Sequence, residues 1–232
     1  MASFYGHITT SAVLGGIVGG VGSYYFGFDW GSVFLAAGLT TIGGMLPDLD
    51  SDSGIPAREL FGLAGVFVPL LLFERLKSFG LTMEQLLVVL AATYLLVRYG
   101  VAALFKRITV HRGMFHSIPA LFISGLAIFL MHCPEQLQGD ELRRRLYYAV
   151  GTMIGFLSHL VLDEIFAVDL MGLVPKLNQF AGSALKLKSD SWVATLFTYA
   201  ILIGLAYLAW ASTGSPTQWD DAWVQTVTPM KK

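Results

Sequence analysis

A chain of 232 residues that is 55% hydrophobic and only 13% charged is poorer in charge than a soluble domain, where about a quarter of residues are charged. Its formal net charge of -1 excludes the strong basic field that nucleic-acid binding calls for. The mean hydropathy of +0.64 is concentrated in long apolar runs, which can bury their backbone in hydrocarbon only as helices, so the expected class is an all-α membrane protein.

Seven apolar segments are expected in chain order, at roughly 8–28, 31–46, 58–73, 84–105, 114–131, 146–168 and 192–210, each about long enough to span a bilayer or nearly so. The N-terminal residues Met1-Ala2-Ser3-Phe4 carry no Lys or Arg, and the first segment reads as a retained membrane helix rather than a signal peptide. Gly15/Gly19 and Gly16/Gly20 repeat at helical spacing within it and read as close helix contacts. The second and third segments are short, and Pro69 should kink the third, so either is readable as re-entrant. Trp30, Trp192 and Trp210 fall at segment ends, where indole favours the interface. Residues 1–210 read as one membrane-embedded domain, and 211–232 as a polar interfacial tail bearing Trp219 and Trp223. The single cysteine, Cys133, cannot form an intrachain disulfide and leaves the redox compartment open.

Counting crossings assigns each loop to a face. The loop at Asp48–Asp52 follows two crossings and the loop at His111–His116 follows four, so both return to the face that holds His7. His159 and Asp163, near the end of the sixth segment, approach that same face. His132 falls on the other. Lys and Arg are balanced between the faces, so the positive-inside rule does not fix the orientation.

Three motifs on that common face could carry chemistry. His159 and Asp163 are four residues apart on an apolar helix, which puts both on one side of it, and such groups at membrane depth are expensive unless paired or functional. Glu164 points to a different face. Pro47-Asp48-Leu49-Asp50-Ser51-Asp52 places three alternating carboxylates after an apolar helix ended by Gly43, Gly44 and Pro47, and these either bind cations or form a solvated capping turn. His111-Arg112-Gly113-Met114-Phe115-His116-Ser117 pairs two histidines at a spacing that needs a break, which Gly113 supplies. Arg112 suits a phosphate, although the plainer reading is a basic interfacial loop with Lys106 and Arg107. His7 alone is weak and gains weight only from its face. The candidate metal ligands are therefore His7, Asp48, Asp50, His111, His116, His159 and Asp163. Seven donors exceed the needs of one tetrahedral ion and suit two, with imidazole and carboxylate together favouring Zn²⁺, or Mn²⁺ or Fe²⁺, over Ca²⁺ or Mg²⁺.

Gly6-His7, Pro47-Asp48-Leu49-Asp50, His111-Arg112-Gly113 with His116-Ser117, and Gly155 through His159 to Asp163 resemble, in that order, a family of bacterial inner-membrane, LexA-regulated metal-dependent hydrolases. That family is distantly similar to the soluble zinc-dependent phospholipase C and P1-type nucleases. The resemblance covers about residues 5 to 170 and implies a multi-pass inner-membrane helical bundle with a phospholipase C-like metal site. It also implies hydrolysis of a phosphoester, lipid or lipid-linked, by metal-activated water. His7, Asp48, His111, His116, His159 and Asp163 match its ligands, and Asp50 its second acid, a ligand or a base. Ser51 stands where many members have His, and Asp52 is the substitute at hand. In this scheme Arg112 offsets negative charge while Asp50 or Asp52 handles protons.

Two other functions compete. A cation or proton transporter would spread ionisable groups towards both faces, whereas the far halves of these segments carry few. A structural protein stapled by metal would need fewer ligands. No His-Glu-x-x-His motif supports a metalloprotease.

Overall fold

A computed structural model describes residues 3–50, 55–104, 114–131, 139–169, 176–177, 185–189 and 191–213. The described residues form seven helices, α1 (Phe4–Phe26), α2 (Trp30–Gly43), α3 (Ile55–Lys77), α4 (Met83–Leu104), α5 (Ile118–Leu130), α6 (Gly139–Ile165) and α7 (Trp192–Ser212). A 3-10 turn at Pro47–Asp50 follows α2. Two-residue strands, β1 (Val168–Asp169) and β2 (Lys176–Leu177), pair antiparallel after α6. The polar tail expected over 211–232 lies outside the described residues from 214 onward.

Polar side chains start most of the helices by satisfying amide groups that have no intrahelical partner. Ser3, Asp29, Ser117 and Ser191 each accept a backbone N–H in the first turn of the helix they precede. Thr82 and Gln85 form a reciprocal capping box at the start of α4. Gly27, in a left-handed conformation at φ 63°, closes α1 and sends its amide back to the Gly22 carbonyl.

Among the described residues three helices are long and apolar enough to cross a membrane by length and composition: α4, α6 and α7. Of the seven expected segments, α1 and α3 have the length but do not meet that measure, and α2 and α5 are short. With 14 and 13 residues, α2 and α5 reach about 20 Å, short of a hydrocarbon core of about 30 Å. The third segment is not short: α3 extends over 23 residues and continues through Pro69.

The helices form two compact units, Met1–Pro47 with Met114–Lys232, and Asp48–Gly113. In the first, α6 is the hub, packed against α1, α2 and α5, with α5 also against α7. Its buried side makes three apolar clusters: Leu142 and Ala149 with Phe129, Tyr148 with Val18 and Ala36, and Phe156 and Leu160 with Leu121. Its other side, Leu146, Val150, Leu157, Val161 and Ile165, is an exposed apolar stripe suited to lipid. In the second unit α3 and α4 pack together. The π-helical stretch Leu96–Val101 carries Arg98, whose Nη1 donates to the Arg58 carbonyl at 2.7 Å across a surface opened by Gly62 and Gly65.

The closest approaches of α1, α2 and α6 are made at glycines. A Cβ on Gly155 would strike the Thr40 carbonyl, and one on Gly43 the Thr152 carbonyl. A Cβ on Gly15 would lie 2.5 Å from the Ala37 carbonyl oxygen, while Gly16 and Gly20 face open space. Of the two glycine pairs in the sequence, only Gly15/Gly19 makes the contact. Gly155→Ala is therefore expected to lose about 1–3 kcal/mol or more, because backbone cannot move aside as a side chain can. Gly16→Ala should stay within about 0.5 kcal/mol of wild type. Thermal unfolding in detergent, followed by circular dichroism, compares them, and equal midpoints would contradict this packing.

Candidate metal centre

Four helix ends of the first unit meet at one place. His7 is in the first turn of α1, His116 directly precedes the Ser117 cap of α5, and His159 and Asp163 occupy the last two turns of α6. The end of α2 contributes Gly44. Each ligand position continues a stripe of small residues: His7, Ser11 and Gly15 on α1, and Gly151, Gly155, His159 and Asp163 on α6. Successive members are four apart, so the face that packs tightly along the helix presents the imidazole or carboxylate at its end.

All four side chains are buried, with exposures of 3% for His7, 3% for His116, 1% for His159 and 7% for Asp163. The Nε2 atoms converge on the carboxylate: His7 lies 3.3 Å from Oδ1, while His159 and His116 lie 3.7 and 3.8 Å from Oδ2. These separations exceed the N–H···O range of about 2.7–3.2 Å. The His7 separation equals the roughly 3.3–3.4 Å between neighbouring donors around a tetrahedral zinc with bonds of about 2.0–2.1 Å, and the other two are longer. Donor atoms of His116, His159 and Asp163 all lie within 4.8 Å of one another, a grouping able to hold a metal ion.

The rings restrain one another. His7 stacks on His159 with centroids 3.7 Å apart and planes within 13°, and His116 meets His159 edge-on at 5.6 Å. His159 Nδ1 is 2.7 Å from the Gly44 carbonyl oxygen, which can only accept, so this nitrogen carries the proton. His7 Nδ1 and Asp163 Oδ1 are buried without a hydrogen-bond partner among the described residues, a condition worth about 1–3 kcal/mol per group unless something else satisfies them. The C-termini of α2 and α6 and the N-termini of α1 and α5 all come to this place, so the partial charges of the helix ends offset one another and the side chains set its electrostatics.

Of the residues expected from sequence, the structure brings His7, His116, His159 and Asp163 together. Asp48 begins the second unit, directly after the buried Pro47. The side chain of Asp50 and the whole of Asp52, His111 and Arg112 lie outside the described residues. The sequence did not point to the Gly44 carbonyl or to Ser11. The signal for both was present, in the four-residue register that Ser11 shares with His7 and in the Gly43-Gly44 pair ending α2.

Long apolar helices with imidazoles and a carboxylate buried where their ends converge define a helical membrane protein with a candidate cation site. The chain belongs to the YdjM inner membrane protein family, whose model matches residues 1–224, which places it in the bacterial inner membrane. No curated protein and no solved structure matches it.

Zinc added to chelator-treated protein is expected to raise its stability by about 2.7 kcal/mol at a free concentration of 100 times Kd. Asp163→Asn keeps the shape and removes the charge, and should abolish most of that gain. Melting in detergent with and without Zn²⁺ reads both, and an equal shift in the two proteins would exclude Asp163 as a ligand.

Proposed function

We propose that this protein is a membrane-embedded metal-dependent hydrolase acting on a phosphoester, lipid or lipid-linked. The observation that carries this is the convergence of three buried Nε2 atoms within 3.3–3.8 Å of one buried carboxylate. The motif resemblance to LexA-regulated hydrolases, and through them to phospholipase C and P1-type nucleases, supports the reaction class.

A divalent cation, Zn²⁺ foremost and Mn²⁺ or Fe²⁺ next, would supply Lewis acidity and lower the pKa of the water it holds from about 15.7 to about 7. His7, His116, His159 and Asp163 would hold it. The carboxylate faces His7 through one oxygen and His116 and His159 through the other, an arrangement compatible with the two ions expected from the number of candidate ligands. Neutral imidazoles add no charge, so divalent ions held largely by them would keep positive charge suited to an anionic phosphoester. Arg112 would offset charge developing on the phosphoryl group, and Asp50 or Asp52 would take and return the proton. A lipid-linked substrate suits a site at the ends of membrane helices, because such a substrate arrives within the bilayer.

Elemental mass spectrometry on the detergent-purified protein should find about two zinc or manganese ions per chain, lost in His116→Ala and His159→Ala. The same two variants should reduce hydrolysis of phospholipid and soluble phosphodiester substrates to the uncatalysed level. A folded, chelator-free wild type with no stoichiometric metal would turn the cluster into a proton or cation pathway and give transport the lead. Stoichiometric metal with no hydrolysis of any phosphoester would leave a metal that staples helices.

A further inference from the structure

A ligand imidazole has two ring nitrogens, and which one faces a cation is decided by what the other meets. For His159 two contacts divide this task. The His7 ring, stacked 3.7 Å away and nearly parallel, fixes the plane of the His159 ring. Within that plane the ring could still turn over and exchange its nitrogens. The Gly44 carbonyl, 2.7 Å from Nδ1, selects one edge. The proton then resides on Nδ1, and in the neutral ring Nε2 presents its lone pair towards Asp163 Oδ2, 3.7 Å away. A neutral His159 ring of this tautomer would offer Nε2 as an acceptor on the side of the Asp163 carboxylate.

The position of the carbonyl is itself tightly set. A Cβ on Gly44 would run into Cβ and Oγ of Ser11. Ser11 is fully buried, and its hydroxyl lies 3.2 Å from the carbonyls of both Ile8 and Thr41, so moving it would break the link between α1 and α2. The preceding residue, Gly43, rests against the Thr152 backbone of α6. The end of α2 is therefore held between α1 and α6, with its carbonyl against the imidazole.

We propose that Gly44 is the positioning residue of the cation site: its carbonyl holds His159 as the Nδ1–H tautomer with Nε2 as the ligand, and its lack of a side chain lets α2 come close enough to α1 to do so. This rests on the cation-site reading of the cluster, and it assigns α2, which carries none of the four clustered ligands, a direct part in the site. A side chain at position 44 displaces the carbonyl and frees the ring to turn over. A residue that served packing alone would change stability and leave the tautomer as it was.

The test is long-range proton–nitrogen NMR on full-length protein in detergent, labelled with ¹⁵N-histidine and stripped of metal, with the His159 signals identified by their absence in His159→Gln. The expected spectrum has a protonated Nδ1 and a bare Nε2, and Zn²⁺ should shift Nε2. Gly44→Ala should mix the two tautomers and weaken Zn²⁺ binding by about 10–100-fold. Ser11→Gly added to Gly44→Ala reopens the space at the cost of the Ser11 contact with Thr41 and should recover both readouts in part, while Gly16→Ala, which faces open space, should alter neither. A proton on Nε2 in the wild type would overturn the proposal, as would a folded Gly44→Ala protein with unchanged tautomer and affinity. Should Gly44→Ala fail to fold, the wild-type spectrum and the double variant decide the matter. Loss of Zn²⁺ binding in the wild type itself would remove the cation reading, and the tautomer, measured without metal, would still report separately on Gly44.

Discussion

Everything about this site depends on how closely the backbones of α1, α2 and α6 approach. In lipid the hydrophobic effect does not drive helices together, so association relies on van der Waals contact and on hydrogen bonds, and small residues allow both. Here the contacts are glycine against carbonyl: Gly155 on Thr40, Gly43 on Thr152, Gly15 on Ala37. Hydroxyls line the same surfaces without leaving unsatisfied groups. Thr40 donates to the Ala36 carbonyl at 2.8 Å and Thr152 to Tyr148 at 2.9 Å, each within its own helix. One larger side chain in this seam would part the helices, and with them the stack of His7 on His159.

The seam is polar at both ends, with different chemistry. At one end lie the three imidazoles and Asp163. At the other, Asp29 caps α2 and Arg144 of α6 reaches it, with Nη1 3.1 Å from Oδ2 and 3.3 Å from the Ser32 hydroxyl. The Asp29 carboxyl is held below its ordinary value, first by the Ser32 amide, then by the Ser32 hydroxyl, with Arg144 adding to the effect. An exposed pair of this kind contributes little stability, but it ties the start of α2 to α6. The buried end is different, because removing a carboxylate from water costs several kcal/mol unless it is compensated. Three imidazole nitrogens beside the carboxylate would give a cation at that end much of what it needs, and the cation would in turn compensate the carboxylate.

Much of this was legible in the residues. The seven apolar runs correspond closely to the seven helices, because hydrophobic length and polar punctuation are local properties. Counting crossings grouped His7, His116, His159 and Asp163 on one face together with Asp48 and His111, and the first four do come together in the structure, although α2 and α5 are shorter than a bilayer-spanning helix. Which glycines face a partner was harder to read. Gly15/Gly19 and Gly16/Gly20 have the same spacing, and what separates them is that Gly15 shares the His7–Ser11 register. The role of Gly44 was out of reach of pattern reasoning, since it depends on a carbonyl, and every residue has one.

The seam also bears on the choice between catalysis and transport. A proton or cation leaving the His/Asp cluster towards the Asp29–Arg144 end would have to pass between α1, α2 and α6. That interval is filled by Gly155 against Thr40, Gly151 against the Thr40 hydroxyl, and Val18, Ala36 and Tyr148 packed together. Among the described residues there, no carboxylate, imidazole or ammonium could relay charge. The threonine hydroxyls are already committed to carbonyls of their own helices. A route along α6 on its other side meets Leu146, Val150, Leu157 and Val161, an apolar surface made for lipid. Among the described residues, the seam between the cluster and the Asp29–Arg144 end is filled by glycine, aliphatic and aromatic contacts rather than by ionisable groups.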